Sequence, residues 1–161
     1  MKIESLRDEI ENAFNFVAKP EHGAFLVRPE NRYECQHVTE ALDSYNEMEL
    51  PPQALRHLHS DLSCLSPIGF RWALPSYLRC CVSDVALRYR DEFVETEFLI
   101  YHFSHGSEYQ AEVIKQLAIL NSQQIECLIS FIGWCKEGEW GDCYSDHLTK
   151  AHDFLVTMKK R

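Results

Sequence analysis

Residues 62–82 read LSCLSPIGFRWALPSYLRCCV, the densest run of apolar and aromatic side chains in the chain. Ser66-Pro67 marks a helix start. A serine hydroxyl accepts from a free amide of the first turn, and proline at the next position gives up an N–H that has no helical partner there. Counting from Phe70, large residues recur at Leu74, Tyr77, Leu78 and Cys81, offsets of four, seven, eight and eleven that trace one helical face. Burying each such side chain fully is worth roughly 1.5–3 kcal/mol. Pro75 opposes them: inside a helix it removes one hydrogen bond and crowds the carbonyl of Arg71, at a cost of about 3 kcal/mol. It also pushes Leu74 out of the α region. Five burials outweigh one proline, so the stretch is expected to be a central core helix, kinked at 71–74 or split there into two helices. Trp72 lies off the apolar face and is expected to meet a second layer or the surface.

Working toward the N-terminus, Leu50-Pro51-Pro52 is a sharp boundary. Pro52 is placed to begin a short helix to about His59, followed by a turn at 61–63. Residues 34–44 predict another short helix. Residues 19–33 contain Pro20, Gly23 and Pro29 and read as a long loop, in which Phe25, Leu26 and Val27 tuck against the core as a short extended piece. Residues 3–17 place Ile3, Leu6, Ile10, Ala13, Phe14 and Val17 on one face, an amphipathic helix.

Toward the C-terminus, Asp84 is placed to cap a segment strongest from Phe93 to Phe103, with Val94, Phe98, Tyr101 and His105 on one face. Residues 109–119 align Tyr109, Val113, Leu117 and Leu120. Asn121, followed three residues later by Gln124 and flanked by Leu120 and Ile125, is the best start signal in the chain: a capping box with a hydrophobic staple. That helix carries Ile125, Leu128, Ile129, Ile132 and Cys135 inward and stops at Gly138 and Gly141, with 136–143 a Gly-hinged acidic and aromatic loop. Residues 144–159 predict a last helix with Leu148, Ala151, Leu155 and Met158 inward, closing on basic residues that suit a helix C-terminus. There is no repeat and no pair of β-branched runs joined by a hairpin turn. The expectation is an all-α single domain over residues 1–161, an irregular bundle of about seven helices around the Pro-kinked one.

The chain has 161 residues, 16 basic and 25 acidic, for a net charge of −9. Residues 1–50 hold eleven Asp or Glu against five Lys or Arg. Such a balance argues against non-specific binding to nucleic acid or an anionic membrane, which both select cations, and favours a basic protein partner. The seven cysteines at 35, 64, 80, 81, 127, 135 and 143 form no Cys-x-x-Cys pair. The charged MKIESLRDEIE start is unlike a signal peptide, and no window approaches a membrane span. These features are read together as a cytoplasmic protein whose cysteines are reduced apolar fillers.

Leu50-Pro51, the Ser66-Pro67-x-x-Phe70-Arg71-x-x-Leu74-Pro75-x-Tyr77-Leu78 pattern, residues 97–103, the helix from Asn121, the opening helix with Leu6 to Ile10, and Glu34-Cys35 together suggest a relationship. Over roughly residues 5–135 the chain resembles an uncharacterised family of small bacterial proteins, a domain of unknown function. The resemblance implies a helical single domain and brings no activity or catalytic residue. Its pattern often has a second Cys or a His just before the Cys35 position. Arg32-Tyr33-Glu34 stand there here, which weighs against a metal at Cys35.

Four groups carry possible chemistry. Glu95, His102 and His105 fall at spacings of seven and three, so a helix puts all three on one face, as a metal hydrolase needs. The zinc-helix spacing of two His four apart with an intervening Glu is absent, and the preferred reading is a core histidine and a helix end. His57 and His59 point to different sides of a helix, so a polar surface strip is preferred. Cys127, Cys135 and Cys143, at spacings of eight, match no zinc pattern, and Cys135, Cys143 and His147 converge only if the Gly138–Gly141 turn folds them together. Residues 134–144, WCKEGEWGDCY, set Trp and Tyr rings in an acidic Gly-hinged turn, the composition of a protein-binding surface, against a core reading in which Trp140 covers Trp134. The favoured expectation is a non-enzymatic interaction domain without cofactor, of the kind exemplified by an immunity protein that neutralises a basic toxin, with Asp91, Glu92, Glu95, Glu139, Trp140 and Asp142 facing the partner. The alternative is a small metal-dependent enzyme using Glu95, His102 and His105, or the Cys/His set of 135–147.

Overall fold

The computed structural model describes residues 1–21, 24–26, 33–58, 61–89, 94–104 and 110–160, the side chains of 33 and 34 excepted. Among these residues the architecture is all-α: α1 (Ile3–Ala13), α2 (Tyr33–Asp43), α3 (Pro52–Leu58), a 3-10 turn (Asp61–Cys64), α4 (Pro67–Cys81), α5 (Asp84–Arg88), α6 (Glu95–Ser104), α7 (Gln110–Ala118), α8 (Ser122–Glu137) and α9 (Trp140–Lys159). There are thus nine α-helices among the described residues where the periodicity predicts about seven. None is long and apolar enough to cross a membrane. The chain divides into two compact units, Phe16–Glu95 and Met1–Asn15 with Thr96–Arg161.

In the unit Phe16–Glu95, α4 is the centre. Eleven of its fifteen residues are buried, Phe70, Trp72, Leu74, Tyr77 and Leu78 among them. The helix runs unbroken through Pro75, so the expected division into two helices does not occur. The side chains it buries on all sides hold it in place. Trp72, off the predicted face, is fully buried because a second layer lies over it: Nε1 donates to the Glu47 carbonyl at 3.1 Å, and the ring meets Phe25 at 6.1 Å between centroids. On the next turn, the Ser76 hydroxyl accepts from the Leu50 amide at 2.9 Å.

The start of α4 shows why Ser66 and Gly69 stand where they do. Ser66 Oγ accepts from the Gly69 amide at 3.1 Å, as the sequence predicts, and donates to the Ala24 carbonyl at 2.6 Å. Its own amide donates to the Phe25 carbonyl at 2.9 Å, and Leu26 bridges Leu65. The 24–26 segment therefore lies directly on the first turn of α4. A Cβ on residue 69 would sit 2.2 Å from the Phe25 carbonyl oxygen, so only glycine allows this approach. Phe25 and Leu26 are buried as expected; Val27 lies outside the described residues.

Lys19 closes the end of α2. Its ammonium donates to the carbonyls of Leu42 (3.0 Å), Asp43 (3.0 Å) and Tyr45 (2.6 Å), at and just past the last turn of the helix, where Leu42 also accepts from the Tyr45 amide at 3.1 Å. It also lies over the rings of Phe25 and Trp72, 5.5 and 5.6 Å from their centroids. One side chain thus joins the 16–21 segment, the α2 terminus and the aromatic layer on α4.

The cysteine reading needs correction here. Cys35 and Cys64 form a disulfide, their Cα atoms 5.4 Å apart, because α2 packs against the 3-10 turn. The partners are 29 residues apart, and no local spacing signals the pairing. Cys80, Cys81, Cys127 and Cys135 are free and buried, as fillers are, while Cys143 is exposed. A second correction concerns α5: Ser83, not Asp84, caps it, its hydroxyl accepting from the Ala86 amide at 3.1 Å.

In the unit formed by Met1–Asn15 and Thr96–Arg161, α8 packs along α9, α1 lies against α8, and α7 touches α9. The capping box is present in full: Asn121 Oδ1 accepts from the Gln124 amide at 2.9 Å, and Gln124 Oε1 accepts from the Asn121 amide at 3.0 Å. Gln124 Nε2 continues to the Ala13 carbonyl at 3.2 Å, joining the start of α8 to the end of α1. Ile125, Leu128, Ile132 and Cys135 are buried as predicted, whereas Ile129 is half-buried. The predicted 136–143 loop is shorter than expected. Lys136 and Glu137 finish α8, and α9 begins at Trp140. Gly141 permits that early restart, since a Cβ there would lie 2.3 Å from the Lys136 carbonyl oxygen. The backbone of α9 departs from helical at Tyr144 (φ −124°, ψ 23°), then buries Leu148, Ala151, Leu155 and Met158. The face of α6 also differs: Leu99, Ile100 and Phe103 are buried, while Val94, Phe98 and Tyr101 are half-buried. The run Phe98–Phe103 is almost wholly apolar or aromatic and carries no periodic signal to say which side faces in.

Candidate functional site

Each site residue named from the sequence has a definite place or lies outside the described residues. Asp91, Glu92, His59 and His105 are in the latter class. Glu95, at the start of α6, is only 2 % exposed. Among the described residues neither carboxylate oxygen has a hydrogen-bond partner, and Arg56 Nε lies 3.7 Å away, too long for a hydrogen bond. The contact is an ion pair without the hydrogen bonds that offset desolvation. Glu95 therefore belongs to an interior, not to an exposed acidic face, and this corrects its placement among the partner-facing residues. Tyr77 shares that environment: its hydroxyl is buried without a hydrogen-bond partner among the described residues, and burial first, then the negative charges of Cys81, Glu95 and Cys80, hold it far above the ordinary phenol range.

His102, in the other unit, has Nε2 2.8 Å from Gln116 Oε1, and both side chains are buried. This is a satisfied core histidine. Cys135 is fully buried and Cys143 exposed, so α8 and α9 do not bring that pair together with His147. Among the described residues no group of three or more His, Cys, Asp or Glu is arranged to hold a metal ion. The buried thiols are also poor nucleophiles. Desolvation and then the charge of Glu9 push Cys127 up to about 12; desolvation and then Glu95, partly opposed by Arg56, push Cys80 up to about 12.

The strongest concentration of functional groups lies where α6 faces the start of α9. Trp140 and Tyr144 have centroids 5.5 Å apart at 41°. Tyr144 meets Tyr101 edge-on at 5.7 Å, and Tyr101 meets His147 edge-on at 4.6 Å. All four rings are half-buried. Residues 137, 139, 142 and 146 add exposed carboxylates along the same stretch, Glu137 paired with the terminal amine of Met1. Trp134 does not face Trp140; it packs on Phe131, 6.1 Å away. Trp140 thus lies with Tyr144, Tyr101 and His147, and the expectation that it covers Trp134 does not hold.

The polar tips of this row are held. Tyr144 hydrogen-bonds Glu97; burial, then that bond and the carboxylate charge, push its hydroxyl up to about 12. Ser104 Oγ donates to the Tyr101 carbonyl at 3.1 Å and lies 3.0 Å from His147 Nδ1. A hydroxyl has one proton, and the carbonyl can only accept it, so Oγ accepts from Nδ1–H. That arrangement makes Ser104 a bracket for the imidazole rather than a nucleophile activated by it. Tyr101, Tyr144, Ser104 and Glu97 were not legible as a group from the sequence: the i, i+4 spacing of Glu97 and Tyr101 and the i, i+3 spacing of Tyr101 and Ser104 link those three along α6, and no local spacing brings Tyr144 to them.

Comparison of the chain with the known protein families, with curated proteins and with solved structures finds no match to any of them.

Proposed function

We propose that this chain is a non-enzymatic protein-interaction domain whose partner is basic. The observation that carries the proposal is the α6–α9 face: half-buried Trp140 and Tyr144 on a stretch that also carries exposed Glu139, Asp142 and Asp146, in a chain of net charge −9. Rings that are half in and half out offer contact area at little entropic cost, and interface hot spots are enriched in Trp and Tyr. Carboxylates around them speed encounter with a cationic surface and reject anionic ones. An immunity-type role, in which a small acidic bacterial protein in the cytoplasm occludes a basic toxin, is the specific form that this chemistry fits.

The test is affinity capture from a bacterial lysate at low and at physiological salt, with the double variant Glu139→Lys, Asp142→Lys run alongside. The expected result is a basic protein, identified by mass spectrometry, that wild type retains and the charge-reversed variant loses, with retention falling as salt rises. Capture that ignores both salt and charge reversal would refute the reading.

A further inference from the structure

Helix α2 is held in the Phe16–Glu95 unit by a thin apolar stripe. Of its described side chains only Cys35, Val38 and Leu42 are buried, while Gln36, His37, Glu40 and Asp43 are exposed. By contrast, α4 buries eleven of its fifteen residues. One member of the α2 stripe, Cys35, is bonded to Cys64, the last residue of the 3-10 turn and two positions before the Ser66 cap of α4. The bond closes a chain segment that contains the rest of α2 and all of α3, inside one unit. Cys35 is 0 % and Cys64 2 % exposed, so a thiol from solution reaches the sulfurs only when α2 lifts. The other five cysteines are free thiols, Cys143 exposed among them, which is the cysteine usage of a chain that meets reductants.

We propose that the Cys35–Cys64 bond is a redox latch on α2: oxidised, it clamps the helix to the 3-10 turn; reduced by a small thiol such as glutathione, it lets α2 open while α4 stays in place. The chemistry is thiol–disulfide exchange. A glutathione thiolate attacks one sulfur of the pair, and the other cysteine leaves as a thiolate and takes up a proton. A second glutathione then attacks the glutathione sulfur of the mixed disulfide, which frees the remaining cysteine and carries the oxidised equivalent away as glutathione disulfide. A crosslink acts mainly by restricting the opened chain, so breaking it favours the opened segment. Val38, Leu42 and the Lys19 contacts at the helix end then hold α2. Eleven buried residues, the Ser66 cap and the Trp72 bond to Glu47 still hold α4. That inequality is why loss of the bond loosens one helix and not the whole unit. The inference goes beyond the interaction reading and does not depend on it.

The full chain is equilibrated in buffers of reduced and oxidised glutathione, and the bond is scored by intact mass after alkylation. Amide hydrogen exchange, read by mass spectrometry, is compared between the oxidised and the reduced protein. The bond is expected to be closed at oxidising ratios, open at the strongly reducing ratios of a cell interior, and closed again when the ratio is reversed. Reduction is expected to speed exchange over residues 33–43 by about tenfold or more, while residues 67–81 and, in the other unit, 122–137 keep their protection. Cys35→Ser and Cys64→Ser should exchange like the reduced protein without any reductant, and Cys143→Ser like wild type. Should a serine variant fail to fold, the glutathione series on the wild-type chain decides by itself. A bond that never forms, or that stays closed at every ratio, would overturn the latch, the second case leaving only a structural crosslink. Unchanged exchange over 33–43 after reduction would overturn it too, as would an equal rise over 67–81, which would show that the bond holds the whole unit.

Discussion

Replacing Lys19 with methionine tests the account of the Phe16–Glu95 unit most directly. Methionine keeps an unbranched apolar stem and removes only the ammonium. The structure assigns that ammonium three carbonyl acceptors, Leu42 and Asp43 at 3.0 Å and Tyr45 at 2.6 Å, and two rings within 5.6 Å. A hydrogen bond to a charged group contributes about 1.5–3 kcal/mol. The three cannot simply be added: they share one charge, the Asp43 carbonyl can turn to water, and fixing a lysine costs about 2 kcal/mol of rotamer entropy. The expected loss is therefore about 2–4 kcal/mol by the same magnitudes. At roughly 2–4 °C per kcal/mol for a chain of this length, the melting temperature falls by about 4–16 °C. Urea denaturation gives the free energy, and the m-value is expected to stay unchanged, since the folded and unfolded surfaces are the same. Trp72 emission reports the site itself, because the ammonium sits over that ring. Lys19→Arg is the informative second variant: a forked guanidinium cannot direct three donors from one nitrogen, so its loss should be intermediate. A Lys19→Met protein within 0.5 kcal/mol of wild type would refute the claim that this side chain closes α2.

Four further outcomes follow from named contacts. Gly69→Ala places a Cβ 2.2 Å from the Phe25 carbonyl oxygen, with backbone on both sides of the clash, and is expected to destabilise by about 2 kcal/mol or more in urea denaturation; no measurable loss would mean that the 24–26 segment does not lie on α4. Glu95→Leu removes a buried carboxylate that accepts no hydrogen bond among the described residues while keeping most of its volume, so it is expected to raise stability by about 1 kcal/mol or more; a loss of that size would show that the charge has a structural partner. Intact mass of the protein as isolated should be lower by two hydrogens for the Cys35–Cys64 bond, and reduction should cost about 3–4 kcal/mol for a loop of 29 residues. In the same preparation, native alkylation near pH 8 should label Cys143 alone among the free thiols, since Cys80 and Cys127, pushed up to about 12, are almost wholly protonated and buried; peptide mapping that finds either labelled would contradict that burial.

Helix starts and helix faces were legible wherever a local rule governs them. Ser66 and Asn121 cap because a short polar side chain before an apolar run can reach back only to its own first turn. Leu148, Ala151, Leu155 and Met158 face inward because their spacing allows nothing else on one side of a helix. The face of α6 was misjudged because nearly every residue in Phe98–Phe103 is apolar or aromatic, so periodicity cannot choose a side. Asp84 was preferred over Ser83 as a cap although both can serve, and only the backbone register separates neighbours. The Cys35–Cys64 bond, the buried Glu95 and the row from Trp140 to His147 unite residues up to tens of positions apart, and no spacing within one element encodes them.

What sequence alone determined is therefore the all-α class, most helix boundaries and the anionic composition, because these depend on interactions within a few residues or on none at all. The three-carbonyl grip of Lys19, the approach that demands Gly69, and the row of rings from Trp140 to His147 were decided only by tertiary packing. Their partners meet through space, and the free energy of each contact depends on what else the folded chain brings to the same place.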